Sequence, residues 1–257
     1  MKIAIIIPAY NEEKRIGKTL DVYSSYFNKL KNKKIIDYEI IVVINNTKDR
    51  TEDIVKEYKK ANQNIRYLNF ERGGKGFAVI EGFKDAFKRN NDLIGFVDAD
   101  MATLPEEFYK LILQIGARDG VIADRYLKDS RVFPPVTFRR LIVGRAFNYF
   151  IRAVLFINYR DTQCGAKLFK RSALEDILPR LSMSQWAFDV ELLYNLKKEK
   201  YKIISVPTKW IDREYSKINF LRAGPWMALG VIRLRILNSP FSIFIKIYDK
   251  LLGFIPR

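Results

Sequence analysis

The feature that most constrains the fold is a regular alternation of short apolar segments with amphipathic helical patterns. The apolar segments predict strands at Ile3–Pro8, Tyr38–Ile44, Ile65–Asn69, Leu93–Val97, Gly120–Ala123 and Tyr201–Val206. The segments between them predict helices at Glu12–Lys31 (with Asn11 as N-cap), Thr51–Ala61, Gly76–Arg89 and Pro105–Ile115. Near-continuous apolar strands that alternate with helices are typical of an α/β fold whose parallel sheet is covered on both faces.

Composition excludes several kinds of chemistry. The 257 residues include no histidine and one cysteine, Cys164. A Ser-His-Asp triad, an imidazole metal site and a cysteine zinc site are therefore excluded. Any catalysis must use carboxylates, Lys or Arg, hydroxyls, or a metal ion bound through oxygen.

Polar residues follow the predicted strands at the edge where an open parallel sheet binds ligands. They lie at residues 8–12, 45–49 and 98–100, and a glycine-rich segment at residues 73–76 adds to them. The first strand is not followed by G-x-G-x-x-G, and segment 73–76 lacks the spacing of a phosphate-binding Walker A loop. The pattern favours a nucleotide that is bound in another way.

Two pairs of acidic residues are the strongest chemical candidates. Asp98 and Asp100 flank one small residue at a strand end, and oxygen ligands of this kind favour Mg²⁺ or Mn²⁺. The alternative is that they cap the helix near Pro105, although Thr103 and Glu106 would form a separate capping box there. Asp189 and Glu191 lie among bulky apolar residues, which is costly for carboxylates without a partner or a task. Their alternative is an ion pair with Arg180 or Lys197.

The positive charge points to a surface partner. There are 46 Lys and Arg against 29 Asp and Glu, a formal charge of +17, and most of the excess lies in residues 125–160 and 217–257. Both stretches also contain many bulky apolar residues, which suits nucleic acid or an anionic membrane surface. Uncharged runs are much shorter than the about 20 residues that a spanning helix needs, so we expect neither a membrane span nor secretion.

Eight segments, in order along the chain, resemble family 2 glycosyltransferases of the GT-A fold. Within that family they are most similar to the dolichyl-phosphate β-glucosyltransferases and next to the dolichyl-phosphate mannosyltransferases. The segments are residues 7–13, 41–43 with 48–51, 74–79, 98–103, 160–169, 186–193, Trp210 with 216–217, and 232–235. The resemblance implies a Rossmann-like, mainly parallel catalytic domain at residues 1–218, whose basic segment 125–160 faces acceptor and membrane. Amphipathic interfacial helices would follow at residues 219–257.

The resemblance also implies metal-dependent, inverting transfer of a sugar to dolichyl or another polyprenyl phosphate, with UDP-glucose favoured as donor, for use in glycosylation. The alternatives are GDP-mannose as donor, or UDP-N-acetylglucosamine with another acceptor. The residues implied for donor nucleotide are Pro8, Tyr10, Glu12, Asn45, Lys75 and Asp98; for Mg²⁺ or Mn²⁺, Asp98 and Asp100; for catalysis, Gln163, Asp189 and Glu191; for acceptor phosphate, Arg125, Arg139, Arg145 and Lys217. Asp189 would orient the acceptor or act as a base.

The sequence departs from the family pattern at two positions, and two other functions have to be considered. The family usually has aspartate at the position of Asn45, where it would meet the base, and glycine at the position of Tyr215. A soluble acceptor would predict no membrane binding, and a nucleic-acid-binding protein would be indifferent to Asp98→Ala. We expect no nucleic acid, because basic charge explains none of the carboxylates, and we expect a peripheral protein on the cytoplasmic face of a membrane.

Overall fold

A mostly parallel sheet forms the centre of the computed structural model, which describes residues 1–135, 137–181, 187–211 and 220–243. The seven strands of this sheet in the described part are β1 (Lys2–Ala9), β2 (Asp37–Asn45), β3 (Ile65–Phe70), β4 (Leu93–Phe96), β5 (Gly120–Asp124), β7 (Lys167–Lys170) and β8 (Ile203–Pro207). A small second sheet pairs β6 (Arg131–Phe133) with β9 (Lys209–Ile211). The helices are α1 (Ile16–Asn32), α2 (Thr51–Ala61), α3 (Lys75–Phe87), α4 (Pro105–Gln114), α5 (Phe138–Leu155), α6 (Arg171–Ile177), α7 (Phe188–Lys198) and α8 (Phe220–Leu237).

The strand order of the main sheet is β3-β2-β1-β4-β7-β5-β8. All neighbouring pairs are parallel except those of β7, which runs antiparallel to both β4 and β5. The carboxyl ends of β1, β2, β4 and β5 therefore lie at one edge of the sheet. The first residue of β7, Lys167, lies at that same edge, opposite Phe96 and Ile122.

Both faces of the sheet are buried, as the apolar strands predict. Along β1, Ile3, Ile5 and Ile7 pack into one core cluster, whereas Ala4 and Ile6 pack into a second. The first cluster includes side chains from α1 and α4, and the second includes side chains from α3, α6 and α7. The expected α/β fold with helices on both faces is confirmed.

Two predicted helix caps are wrong. Helix α1 begins at Ile16 rather than Glu12, and Asn11 has a φ of 52° while its side-chain oxygen accepts the Lys48 N–H at 2.9 Å. The side-chain oxygen of Asn11 therefore joins the loop after β1 to the loop after β2 and does not cap a helix. Helix α4 has Leu104 as N-cap without a side-chain cap bond, and Pro105 in its first turn has no N–H to be capped.

A third apolar cluster joins α5, α7 and α8. It contains Ile151 and Leu155 of α5, Val190 and Tyr194 of α7, and Val231 and Leu234 of α8. Within the described residues, no helix is long and apolar enough to cross a membrane. The predicted domain boundary at residue 218, and residues 244–257 of the predicted interfacial segment, lie outside the described part.

Candidate active site

Three predicted site residues meet at the carboxyl edge of the sheet. Asp98 follows β4, Lys75 is the first residue of α3, and Asp189 lies in the first turn of α7. The Lys75 Nζ is 2.8 Å from Asp98 Oδ1 and 3.5 Å from Asp189 Oδ2. One ammonium group therefore links the predicted metal pair to the predicted catalytic aspartate.

Lys167, which was not among the predicted site residues, completes this cluster. Its side chain is fully buried, and its Nζ lies 2.6 Å from Asp189 Oδ1 and donates to the Cys164 carbonyl at 2.6 Å. The sequence feature that could have indicated Lys167 is a lysine directly before two apolar residues of a short strand. The ion pair of Asp189 with Arg180 or Lys197 is wrong, because Arg180 pairs with Glu199 and the Lys197 ammonium donates to the Phe156 carbonyl.

The two lysines keep Asp189 ionised. Burial by itself would raise the pKa of Asp189, but Lys167 and Lys75 outweigh burial and hold this pKa below its usual value. Burial likewise opposes the charge of Lys75, yet Asp189 and Asp98 raise the Lys75 pKa above its usual value. A carboxylate with a lowered pKa is a weak proton acceptor near neutral pH, so this environment suits a positioning role for Asp189 better than general-base catalysis.

Asp98 and Asp100 fit a divalent cation. Burial, and then repulsion by the nearby carboxylate of Asp98, raises the pKa of Asp100. The backbone at Gly165 is so close that a Cβ there would lie 1.9 Å from Asp98 Oδ2. Within the described residues, no group of three or more Asp, Glu or Cys side chains is placed to hold a metal ion, so Asp98 and Asp100 would hold Mg²⁺ only together with ligands from substrate or solvent. The alternative of a helix cap is wrong, since α4 has no side-chain cap.

A basic pocket is lined in part by Gln163, the residue before Cys164, whose carbonyl accepts the hydrogen bond from Lys167. The volume of this pocket is about 460 Å³, and its cationic lining comes from Arg125, Lys128, Arg140 and Arg145. Trp210 also lines it, and none of its described lining residues is a carboxylate. The pocket therefore has the charge and size to bind an anionic group.

A buried ion pair anchors Arg125 at the wall of this pocket. Asp161, which is fully buried, accepts hydrogen bonds from Arg125 Nε at 2.7 Å, Nη2 at 2.9 Å and the backbone N–H at 3.0 Å. Burial would raise the pKa of Asp161, but Arg125 outweighs it and holds this pKa below its usual value. Sequence reasoning missed Asp161 as a partner because 36 residues separate it from Arg125.

Only some of the other predicted residues lie in these two regions. Arg145 lines the basic pocket, whereas the Arg139 side chain and Lys217 lie outside the described part. Gln163 donates its backbone N–H to Asp161 Oδ1 at 3.3 Å. Glu191 is buried two residues after Asp189, about 200° further around the helix, so it projects from a different side of α7.

This chain is similar to known proteins in both sequence and fold. The model of Glycosyl transferase family 2 matches residues 4–178. The chain belongs to glycosyltransferase family 2. A dolichyl-phosphate β-glucosyltransferase of Dictyostelium discoideum is 33% identical over 243 residues, which cover 91% of this chain and 73% of that protein. The Homo sapiens protein of the same name is 31% identical, over 94% and 78% of the two chains.

Solved structures support the fold of this glycosyltransferase. Glucosyl-3-phosphoglycerate synthase from Mycobacterium tuberculosis superposes with a TM-score of 0.60 at 19% identity, over 91% of this chain and 79% of that one. The mannosyltransferase PcManGT from Pyrobaculum calidifontis, solved with GDP-Man and Mn²⁺, gives 0.58 at 16% identity, over 99% and 81%. The expected GT-A fold is confirmed.

Three of the residues predicted for the donor nucleotide lie at the end of β1 in the glycosyltransferase or just after it. Pro8 is half-buried and Tyr10 is exposed. Glu12 forms a two-contact ion pair with Arg15, both contacts at 2.6 Å, and its backbone N–H donates to Thr51 Oγ1 at 2.7 Å. These bonds fix the chain direction after β1 and leave Tyr10 at the open edge.

Asn45 joins β1 to the glycine-rich loop. It is 3% exposed, and with its amide oriented to satisfy both neighbours it donates to the Ala9 carbonyl at 3.0 Å and accepts the Gly74 N–H at 3.1 Å. Gly74 has a φ of 117°, which suits glycine, and it precedes Lys75 at the start of α3. The amide thus positions the loop that presents Lys75 to Asp98.

Asn45→Ala tests this bridge. Alanine can neither accept the Gly74 N–H nor donate to the Ala9 carbonyl, so we expect weaker donor binding, by about tenfold or more for the loss of buried hydrogen bonds. The measurement is the donor KM, with Asn90→Ala as control because Asn90 is exposed in a turn before β4. An unchanged donor KM in Asn45→Ala would contradict the role of the bridge.

Proposed function

We propose that this glycosyltransferase moves glucose from UDP-glucose to dolichyl phosphate or a related polyprenyl phosphate, with inversion at the anomeric carbon. The observation that carries the acceptor assignment is the basic pocket, whose described lining residues include four Lys or Arg and no carboxylate. The names of the Dictyostelium and human relatives supply the sugar and the class of lipid.

The pocket can activate such an acceptor without a histidine. The second pKa of a phosphate monoester is about 6, so the nucleophilic oxygen is already largely ionised near neutral pH. Arg140, Arg145 and Lys128 would bind this phosphate, and Arg125, held by Asp161, would contribute to its wall. Charge neutralisation and orientation then supply the catalysis, and no proton has to be removed.

The donor diphosphate would bind at Lys75 and the two aspartates after β4. Lys75 would bind it from the N-terminus of α3, where the helix dipole also favours an anion. Asp98 and Asp100 would hold Mg²⁺ or Mn²⁺, which when bound would neutralise negative charge on the leaving diphosphate. Asp189, ionised between two lysines, would position Lys75 rather than take a proton.

The outer faces of α5 and α8 fit a lipid surface. Phe138 and Tyr149 of α5 are 74% and 72% exposed, and Trp226 and Leu229 of α8 are 66% and 57% exposed. Arg152 is also exposed on α5. Bulky apolar and basic residues on packed helices are typical of interfacial binding, and each basic residue near an anionic surface contributes about 1 kcal/mol. The proposal places the enzyme peripherally on the cytoplasmic face of the membrane that carries its acceptor.

Trp226→Glu with Leu229→Glu tests the membrane surface. We expect this double variant to lose most of its binding to vesicles of phosphatidylcholine and phosphatidylserine, because two apolar contacts become anionic. Co-sedimentation measures the bound fraction. Leu113→Glu is the control, since Leu113 is 63% exposed on α4, outside the proposed surface. Equal vesicle binding by both variants would exclude α8 as the contact.

Acceptor choice tests the basic pocket. We expect transfer to polyprenyl phosphate, none to the free polyprenol, and a rise of the acceptor KM of about tenfold in Arg145→Gln, as for loss of one charged hydrogen bond. Arg66→Gln is the control, because Arg66 is exposed on β3, outside the proposed lipid-facing surface, and does not line the pocket. Transfer to a water-soluble sugar, with Arg145→Gln behaving like wild type, would refute the lipid-phosphate assignment.

A further inference from the structure

Lys167 is a buried cation with no direct place in the reaction outlined above. Its side chain has no exposed surface, and its ammonium is 5.3 Å from the centre of the Phe96 ring. Its two short contacts are to Asp189 Oδ1 and the Cys164 carbonyl, both at 2.6 Å. A lysine is rarely buried to this extent unless it is paired, so the pair with Asp189 needs an explanation.

The contacts of Asp189 are unequal. Its Oδ1 lies 2.6 Å from Lys167, whereas its Oδ2 lies 3.5 Å from Lys75. Lys75 is closer to Asp98, at 2.8 Å, and about one third of its side chain is exposed. Asp189 is thus neutralised mainly from inside the protein, by Lys167, and the ammonium of Lys75 stays near the open edge of the site.

We propose that Lys167 is a positioning residue that satisfies Asp189 and thereby keeps Lys75 available to the diphosphate of the donor. If Lys167 were replaced by a neutral residue, Asp189 would still be a buried carboxylate, only 8% exposed. Of the two lysines described above, Lys75 would then be its cationic partner. A buried charge binds its remaining partner strongly, so Lys75 would be drawn towards Asp189 and away from the anion. The assignment relies on the proposed function for the identity of that anion.

We therefore expect that removing the charge of Asp189 restores the anion binding that is lost when the charge of Lys167 is removed. In Lys167→Met, Asp189 would compete with the diphosphate for Lys75. In Lys167→Met with Asp189→Asn, both buried charges are absent and Lys75 is again available. A residue that only filled space in the core would give no such recovery of anion binding in a folded protein.

The test is calorimetric binding of inorganic pyrophosphate and of UDP to the full chain, with thermal unfolding to verify that each variant is folded. We expect Lys167→Met to weaken pyrophosphate binding by at least about tenfold, and the double variant to recover to within about threefold of Asp189→Asn. In sugar transfer, Lys167→Met should raise the donor KM more than it lowers kcat.

Each outcome bears on the assignment. Wild-type affinity in Lys167→Met, no recovery in the double variant, or no pyrophosphate binding by the wild type would overturn it. If Lys167→Met does not fold, the comparison of the double variant with Asp189→Asn decides, because a difference of more than about tenfold would mean that Lys167 acts independently of Asp189. The expected pyrophosphate pattern without UDP binding would count against the uridine donor and would support the role of Lys167.

Discussion

Asp98→Asn is expected to lower the rate of sugar transfer by a factor of about 10²–10³, the range found when one electrostatic contact at a reaction centre is removed. The substitution removes the ion pair with Lys75 and one of the two carboxylates assigned to the metal. Because the Asp98 side chain is 36% exposed, the fold should persist. The measurement is the initial rate at saturating donor and acceptor with Mg²⁺ or Mn²⁺.

Asp92→Asn is the control for this substitution. Asp92 precedes the same strand, β4, at the opposite edge of the sheet, and it is 63% exposed beside the N-terminus. Its rate should match the wild type. If the Asp98→Asn enzyme keeps more than about a tenth of the wild-type rate, the assignment of Asp98 to the reaction centre is contradicted.

Asp161→Ala is expected to lower the free energy of unfolding by about 3–5 kcal/mol, because it leaves Arg125 without its buried partner. The carboxylate is fully buried and accepts three hydrogen bonds from Arg125. Urea denaturation measures the change. Glu175→Ala is the control, since its pair with Arg171 is exposed and should contribute less than about 1 kcal/mol. Equal losses in the two variants would contradict the anchoring role.

The pH dependence of stability provides a second check on Asp161. Its pKa is lowered in the folded protein, so it contributes stability that is complete above the unfolded pKa of about 3.9. That contribution is lost as the pH falls through the folded pKa. Asp161→Ala should therefore lose less stability than the wild type between neutral pH and this acid range. A parallel acid decline in both proteins would show that Asp161 does not carry this contribution.

The sheet was largely predictable because its strands are buried on both faces. All six predicted strands are present, with each end within two residues of its predicted position, and α2 has the predicted bounds Thr51–Ala61. Strand β7 was missed because it has only four residues and begins with a lysine, Lys167, whose burial depends on Asp189. The alternation of strands and helices also gave no sign that β7 inserts antiparallel between β4 and β5.

The site was predictable where a residue follows a strand. Asp98 could be inferred from its position after an apolar segment and Asp189 from its place among bulky apolar residues, and the resemblance to the family added Lys75; the structure brings all three together. The pairing of Arg125 with Asp161 could not be inferred, because it depends on how β5 and the segment before β7 approach each other. The bridging amide of Asn45 likewise depends on a loop that lies elsewhere in the sequence.

The most direct test of the proposed function uses purified protein, polyprenyl phosphate, a divalent cation and radiolabelled nucleotide sugars. UDP-glucose, UDP-N-acetylglucosamine and GDP-mannose are compared by the label that enters the organic phase. We predict label from UDP-glucose, abolished by a chelator and strongly reduced in Asp98→Asn. Label from GDP-mannose alone would change the assigned donor from UDP-glucose to GDP-mannose. If the protein binds UDP but no donor gives lipid-linked label, the transfer of sugar to a lipid phosphate would be contradicted.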